Sequence, residues 1–422
     1  MAVAALVVAS AVRVTAQQGD LRERLRVYLD CSPCDSDFVR TEIDWVDYVR
    51  DRQDADVHIL VTTQTTGAAG REYTLNFIGR GTFESKSDTL RYVSTLDDTE
   101  DVRRQGIVRT LKMGLMRYLA GTPAGDRVQI TLRPVAAGGP VQGPAKDRWN
   151  AWVFTISGNG FVNGESLQKF NNLYLSLGAN RTTSEWKIQA SANDSYGESE
   201  FSIDDTTTVT SIRRTYSGNL LVVNSMGDKL SAGFSAGLES STYGNIELSW
   251  RFSPAVEYNF YPYSESTRRI FTATYTLGLN SFDYEERTIF GEVRETHPSH
   301  SLTLAYTTRQ PWGTTGLQLS TAQFLHDVTK YRWSASVSGS VRLFKGLSLN
   351  AYTSYSRVRD QLAVPGGNAT QQEILLRQRL LRTNYFYYGS FGLSYRFGSI
   401  FNTVVNPRFQ NLANSGSTII IG

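Results

Sequence analysis

From residue 147 almost to the end of the chain, apolar and polar residues alternate one by one. In the stretch 331–355 the odd positions are Tyr331, Trp333, Ala335, Val337, Gly339, Val341 and Leu343, then Leu347, Leu349, Ala351, Thr353 and Tyr355. The even positions include Arg332, Ser334, Ser336, Ser338, Ser340 and Arg342, then Ser348, Asn350 and Ser354. Side chains on a strand point alternately to opposite faces. The pattern therefore predicts a hairpin with one apolar face and one hydroxylated, partly charged face, turning at Phe344-Lys345-Gly346. The same alternation recurs with Leu173, Leu175 and Leu177 set against Tyr174, Ser176 and Gly178, and with Phe271, Ala273 and Tyr275 set against Thr272, Thr274 and Thr276. About twelve such strands are expected, starting near residues 149, 171, 184, 208, 228, 243, 267, 298, 314, 330, 346 and 384.

Residues 17–132 have a different pattern. Val27 and Leu29 mark a strand over 25–30, and Val39, Ile43, Val46 and Val49 fall on one helical stripe within 35–51. Val57, Ile59 and Val61 repeat every second residue, as do Tyr73, Leu75 and Phe77, so 56–64 and 72–79 predict a hairpin across the Gly67–Gly70 turn. A further strand is expected at 89–93. Asp97, Asp98 and Thr99 offer N-caps to a second helix whose apolar stripe is Val108, Leu111, Leu115 and Leu119. This makes a small α/β domain. Residues 133–146, with three prolines and three glycines, read as a linker.

Connection lengths separate the ways of satisfying the apolar faces of 147–397. The even turns are short, near Thr182-Thr183, Met226-Gly227, 263–266, 311–313 and 344–346. The odd ones include the longer segments 163–169, 283–298 and 359–383. Short turns on one side with long loops on the other, and strands long enough for the about 9–11 tilted residues of a membrane crossing, predict a barrel with lipid outside. The last strand, Tyr385-Phe386-Tyr387-Tyr388-Gly389-Ser390-Phe391-Gly392-Leu393-Ser394-Tyr395-Arg396-Phe397, alternates and ends on phenylalanine. Over 147–397 the chain resembles Gram-negative outer-membrane β-barrel proteins, and this strand resembles the C-terminal signal read by the barrel-assembly machinery. Residues 398–422 follow Phe397, a departure from the usual terminal signal, and are expected in the periplasm or the lumen.

The resulting fold class is a small α/β domain followed by an antiparallel transmembrane β-barrel of about twelve strands. The resemblance implies a cell outer membrane location with residues 17–132 in the periplasm, and outer-membrane lipid, lipopolysaccharide and the assembly machinery as partners. Residues 1–16 read as a secretory signal with a small apolar core, although no Lys or Arg precedes it. No apolar run is long enough for a helical span. A net charge of +3, spread along the chain, gives no reason to expect nucleic acid.

The two cysteines, Cys31 and Cys34, predict a local disulfide in an exported chain. Thioredoxin-like redox chemistry is disfavoured by the flanking Asp30, Asp35 and Asp37. Zinc is disfavoured because only His58 is close in sequence as a third ligand. His58 itself reads as a structural histidine. No metal and no cofactor is expected.

Charged candidates for the lumen are Lys187, Lys229, Arg251, Arg309, Arg332, Arg342 and Arg396, against Glu239, Glu247 and Glu257. Mixed signs suit a salt-bridged filling as well as a selective pore. The expected function is a narrow channel for small solutes whose first domain docks a periplasmic protein or the cell wall. The alternative is a non-conducting envelope scaffold or assembly component anchored by the barrel. An enzyme is not expected: His297, Ser299, His300 and Ser301 evoke the His-Ser pair of outer-membrane phospholipases, but no orienting third residue stands at recognisable spacing.

Overall fold

The computed structural model describes residues 24–67, 70–120, 147–202, 208–367 and 380–401, with 122, 125, 128, 403, 405 and 408. The signal segment, the 133–146 linker, residues 368–379 and nearly all of the tail after 401 lie outside them.

The first domain runs β1 (Arg26–Asp30), α1 (Ser36–Glu42), β2 (Asp47–Tyr48), β3 (Val57–Thr65), β4 (Arg71–Gly79), β5 (Ser87–Ser94) and α2 (Glu100–Leu119). Its sheet has the order β2-β1-β3-β4-β5, with β1 parallel to both neighbours and the rest antiparallel. The Asp35 carboxylate caps α1 by accepting the Phe38 N–H at 3.0 Å, and the Thr99 hydroxyl caps α2 at Val102.

The helix expected over 35–51 is much shorter, which corrects the periodicity. Val39, Ile43 and Val46 are all buried, as their stripe requires. The backbone leaves the helix at Ile43 (φ −122°, ψ 67°) and continues as β2, whose Asp47 and Tyr48 are buried. Pairing with β1 satisfies that backbone as a helix would, and apolar spacing does not distinguish the two.

Helix α2 lies on β4 and β5, and two of its glycines set how closely. A Cβ on Gly106 would lie 2.1 Å from the Tyr92 ring, and one on Gly114 would lie 2.1 Å from Phe77 Cζ. Tyr92 is only partly buried and can move, whereas Phe77 is 0% exposed in the core with Leu75, Leu111 and Leu115. Overpacking costs about 1–3 kcal/mol and the gain in helix propensity is about 1 kcal/mol. Gly114→Ala should therefore destabilise this domain by up to about 2 kcal/mol net, and Gly106→Ala by much less, measured by pulse proteolysis in urea. Equal midpoints for the two variants would contradict this packing.

The second part is twelve antiparallel strands in chain order: β6 (Trp152–Gly164), β7 (Gln168–Thr182), β8 (Trp186–Ser202), β9 (Thr208–Ser225), β10 (Leu230–Ser241), β11 (Ile246–Asn259), β12 (Arg269–Asp283), β13 (Arg294–Gln310), β14 (Gly313–Phe324), β15 (Tyr331–Phe344), β16 (Leu347–Val358) and β17 (Tyr385–Tyr395). Each pairs with its neighbours in sequence. Register carries the polar row across: Ser176 faces Asn193, Asn193 faces Ser217, Ser217 faces Glu239 and Glu239 faces Ser249. The apolar row looks the other way into open surroundings, with Leu177 53% and Leu277 47% exposed. Residues this apolar on a long, continuous, uncovered face match the lipid side of a barrel rather than half a sandwich.

Closure, expected from the strand number, is not present. β6 and β17 are the two edges of the sheet and do not pair with each other. Both edges carry glycines at which no side chain is available for cross-strand packing, Gly158 and Gly160 on one and Gly389 and Gly392 on the other.

Two connection lengths also differ from expectation. The segment 163–169 is nearly all strand, leaving 165–167 as the connection, while the turn expected at 263–266 spans 260–268. The connections 284–293 and, through its described residues 359–367 and 380–384, the one between β16 and β17 lie on the rim opposite the first domain.

Candidate functional site

The polar face is the candidate site. Seven of the ten charged candidates, Lys187, Glu239, Arg251, Glu257, Arg309, Arg332 and Arg342, fall on it by register, whereas Glu247 lies at the register shift between β10 and β11 and is not placed there. Lys229 lies in the turn before β10 and Arg396 just after β17, so both stand at the rim. Their surroundings differ sharply. The Glu257 carboxylate accepts from Tyr263 (2.8 Å) and Thr274 (2.7 Å). Arg332 pairs with Asp360 at 3.0 Å. Arg309 lies 3.5 Å from the Thr267 carbonyl. Arg251 has no carboxylate within 4.0 Å among the described residues, and it borders two open spaces of about 450 and 610 Å³.

Arg342 does not act as a free lumenal charge, because the first domain engages it. Its guanidinium donates two hydrogen bonds to Asp30, at 2.8 and 2.9 Å, while the Tyr28 ring lies 5.3 Å from it. Around this pair the domain holds the same hairpin turn at two more points. Asp51 accepts the Gly346 N–H at 2.9 Å and Asp54 meets Lys345 Nζ at 2.6 Å. The tip of the β3–β4 hairpin adds a contact further round, where Gly67 lies against Thr182.

The tail supplies one more attachment. Arg50 N–H donates to the Ile400 carbonyl at 2.8 Å, Val49 bridges Phe401, and Tyr48 N–H donates to Thr403 Oγ1. The chain thus returns from β17 and extends the free edge of β2. Thr418–Ile421, an apolar stretch that would suit a sheet edge, lies outside the described residues.

Beneath the latch lies His58, 0% exposed, with Nε2 3.4 Å from Asp30 Oδ2. Burial pushes the Asp30 carboxyl up, but contacts with His58 and Arg342 outweigh it and hold the carboxyl below its ordinary range. Burial, only partly countered by Asp30, lowers His58 below 6.5. A histidine held neutral in the fold contributes stability that is complete above its unfolded pKa and declines as pH falls below about 6.5. The Asp30 contribution persists until pH drops below the ordinary carboxylate value. The melting temperature of the first domain should therefore fall between pH 7.5 and pH 5.5, and His58→Asn should flatten that slope. A slope unchanged in the variant would assign it to another group.

The opposite rim is covered by the start of the β16–β17 connection. Asp360 reaches inward to Arg332, and Leu362, 5% exposed, packs with Ile246, Tyr284, Phe282 and Phe324. Backbone contacts fix it there: Ile289 N–H donates to Val364, Gly366 N–H to Arg287, and Asn245 Nδ2 to Ala363 at 3.0 Å. A loop that leaves β16 and meets the β10–β11 and β12–β13 connections shows that the sheet curls round on its polar face. Next to it, Glu295 accepts from Tyr284 and His297, and His297 stacks on His326 at 3.5 Å between ring centres.

The histidine–serine cluster is split by strand alternation. Ser299 and Ser301 face inward, Ser299 accepting from Asn280 at 2.9 Å, while His300 points outward to Tyr275 and Gln323. His297 lies on β13, not in a loop as expected. Cys31 and Cys34 are joined as a disulfide, packed against the first domain's core. Among the described residues no group of three or more His, Cys, Asp or Glu is arranged to hold a metal.

Sequence reasoning missed the latch (Asp30, Asp51, Asp54) and the inward loop (Asp360, Leu362). The one available signal was Leu362-Ala363-Val364-Pro365, an apolar run in a connection otherwise expected to be wet.

Neither a scan against protein families nor a search of curated proteins finds a match. Among solved structures similar to this chain is a NanC porin in a rhombohedral crystal form. It is 12% identical, and the likeness covers 57% of this chain and 98% of that one at a TM-score of 0.28. The fold therefore rests on strand order and register, not on that likeness.

Proposed function

We propose that the chain is an outer-membrane channel for small solutes, with the first domain in the periplasm docked under one mouth and the 359–367 loop narrowing the other. The observation that carries this reading is the polar bore between the two covers: side-chain hydroxyls and amides, two open spaces and an unneutralised arginine. A barrel serving only as an anchor has no need of such a bore, since an apolar or salt-bridged filling stabilises it as well. Planar-bilayer recording on the purified chain tests it. Stepwise conductance is expected, larger when residues 17–132 are removed. A flat trace in both forms would end the channel reading.

A second reading is favoured by one observation, that both mouths are covered. In it the barrel is a closed envelope anchor, and the first domain works by meeting a periplasmic protein or the cell wall. The flat trace in both forms is its expected result. No catalytic role is proposed, because strand alternation places His300 away from both neighbouring serines.

A further inference from the structure

The distribution of charge inside the bore singles out Arg251. It is the only Lys or Arg among the described residues lining either open space, and it lines both, together with Ser235. Its cross-strand partner on β10 is Gly237, so no side chain shields the guanidinium on that side. A Cβ there would lie 3.8 Å from Arg251 Nη2. The nearby wall is neutral and rich in hydrogen-bonding groups: Asn219, Ser253, Thr276 and Asn280. The one carboxylate at the edge of the first space, Asp360, is held by Arg332.

From this, and resting on the channel reading above, we infer that Arg251 is a binding site for small hydroxyl-rich carboxylates in transit. The planar guanidinium fork matches a carboxylate bidentately. Each cavity has the volume of a small-molecule site. The hydroxyl and amide wall exchanges hydrogen bonds with a polyhydroxylated body as water does, so the solute loses little on entry. A single positive charge matches a monoanion; a phosphate dianion would leave charge uncompensated.

Gluconate, glucose and glycerol separate the contributions. Isothermal titration of the full chain in detergent should show gluconate binding at least about tenfold tighter than glucose, the size of one charge-assisted contact. Arg251→Gln should lose that advantage and Arg251→Lys should recover part of it. Liposome swelling in glycerol, read on the wild-type protein, reports passage independently of the site. Wild-type protein that binds gluconate no better than glucose, or an Arg251→Gln variant that binds gluconate as wild type does, overturns the inference while glycerol swelling leaves the channel standing. Arg251-dependent gluconate binding without glycerol swelling would instead retain the site and remove the channel.

Discussion

An Asp30→Ala protein should release its first domain from the barrel rim. The pair it breaks is bidentate and mostly out of water, with side-chain exposures of 20% for Asp30 and 30% for Arg342. Truncating one member leaves the other charge buried without its counter-charge, and such truncations typically cost about 2–5 kcal/mol. Partial exposure argues for the lower end of that range, so a double-mutant cycle with Arg342→Ala should give a coupling of about 2 kcal/mol. The remaining attachments are the single contacts at Asp51 and Asp54 and the strand that the tail adds to β2. Spin labels at position 113 on α2 and at 228 in the β9–β10 turn measure the outcome by electron–electron resonance. The narrow distance peak of the parent should broaden in Asp30→Ala. A peak that stays narrow would show that the Lys345 contacts and the tail strand hold the domain without the latch.

A Leu362→Asp substitution should open the other mouth. It places a carboxylate where a leucine is buried against Ile246, Tyr284 and Phe324, with no cation among the residues of that cluster. An unpaired charge in apolar surroundings costs several kcal/mol, more than a short surface loop gains from its few contacts, so the loop is expelled rather than the charge buried. Expulsion withdraws Asp360 from Arg332 and exposes that guanidinium to the bore. Single-channel conductance should rise severalfold, and reversal potentials in a salt gradient should move toward anion preference. Unchanged conductance would mean that this loop is not the narrow point. An unchanged reversal potential with higher conductance would mean that Arg332 does not face the ion path.

The two variants act at opposite ends of one bore, separated by the length of the strands, so their effects should add. If conductance in the combined variant exceeds each single one, both covers restrict flow in series.

Much of this molecule was decided locally. Period-two alternation is imposed by the geometry of each strand, which is why the polar face containing Arg251, Glu239 and Lys187 was legible before any fold. Capping works the same way: Thr99 reaches only as far as Val102, so its role is written within a few residues. What the pattern lacked was anything depending on distant segments. Asp30 and Arg342 are 312 positions apart, and neither carries a local sign that it will meet the other. Asp30 read first as an obstacle to a cysteine thiolate, and Arg342 as one lumenal charge among several. The end of α1 at Ile43 failed for a related reason. Val39, Ile43 and Val46 need burial whether the backbone coils or extends, and the edge of β1 decided in favour of a strand.

The sequence by itself determined twelve strands, their two faces and the capped second helix, because each follows from forces acting over a few bonds. Tertiary structure alone decided which charges are neutralised, which mouth each cover closes and that the sheet's edges remain apart. Those outcomes depend on the relative placement of chain segments hundreds of residues apart, and side-chain periodicity carries no record of it.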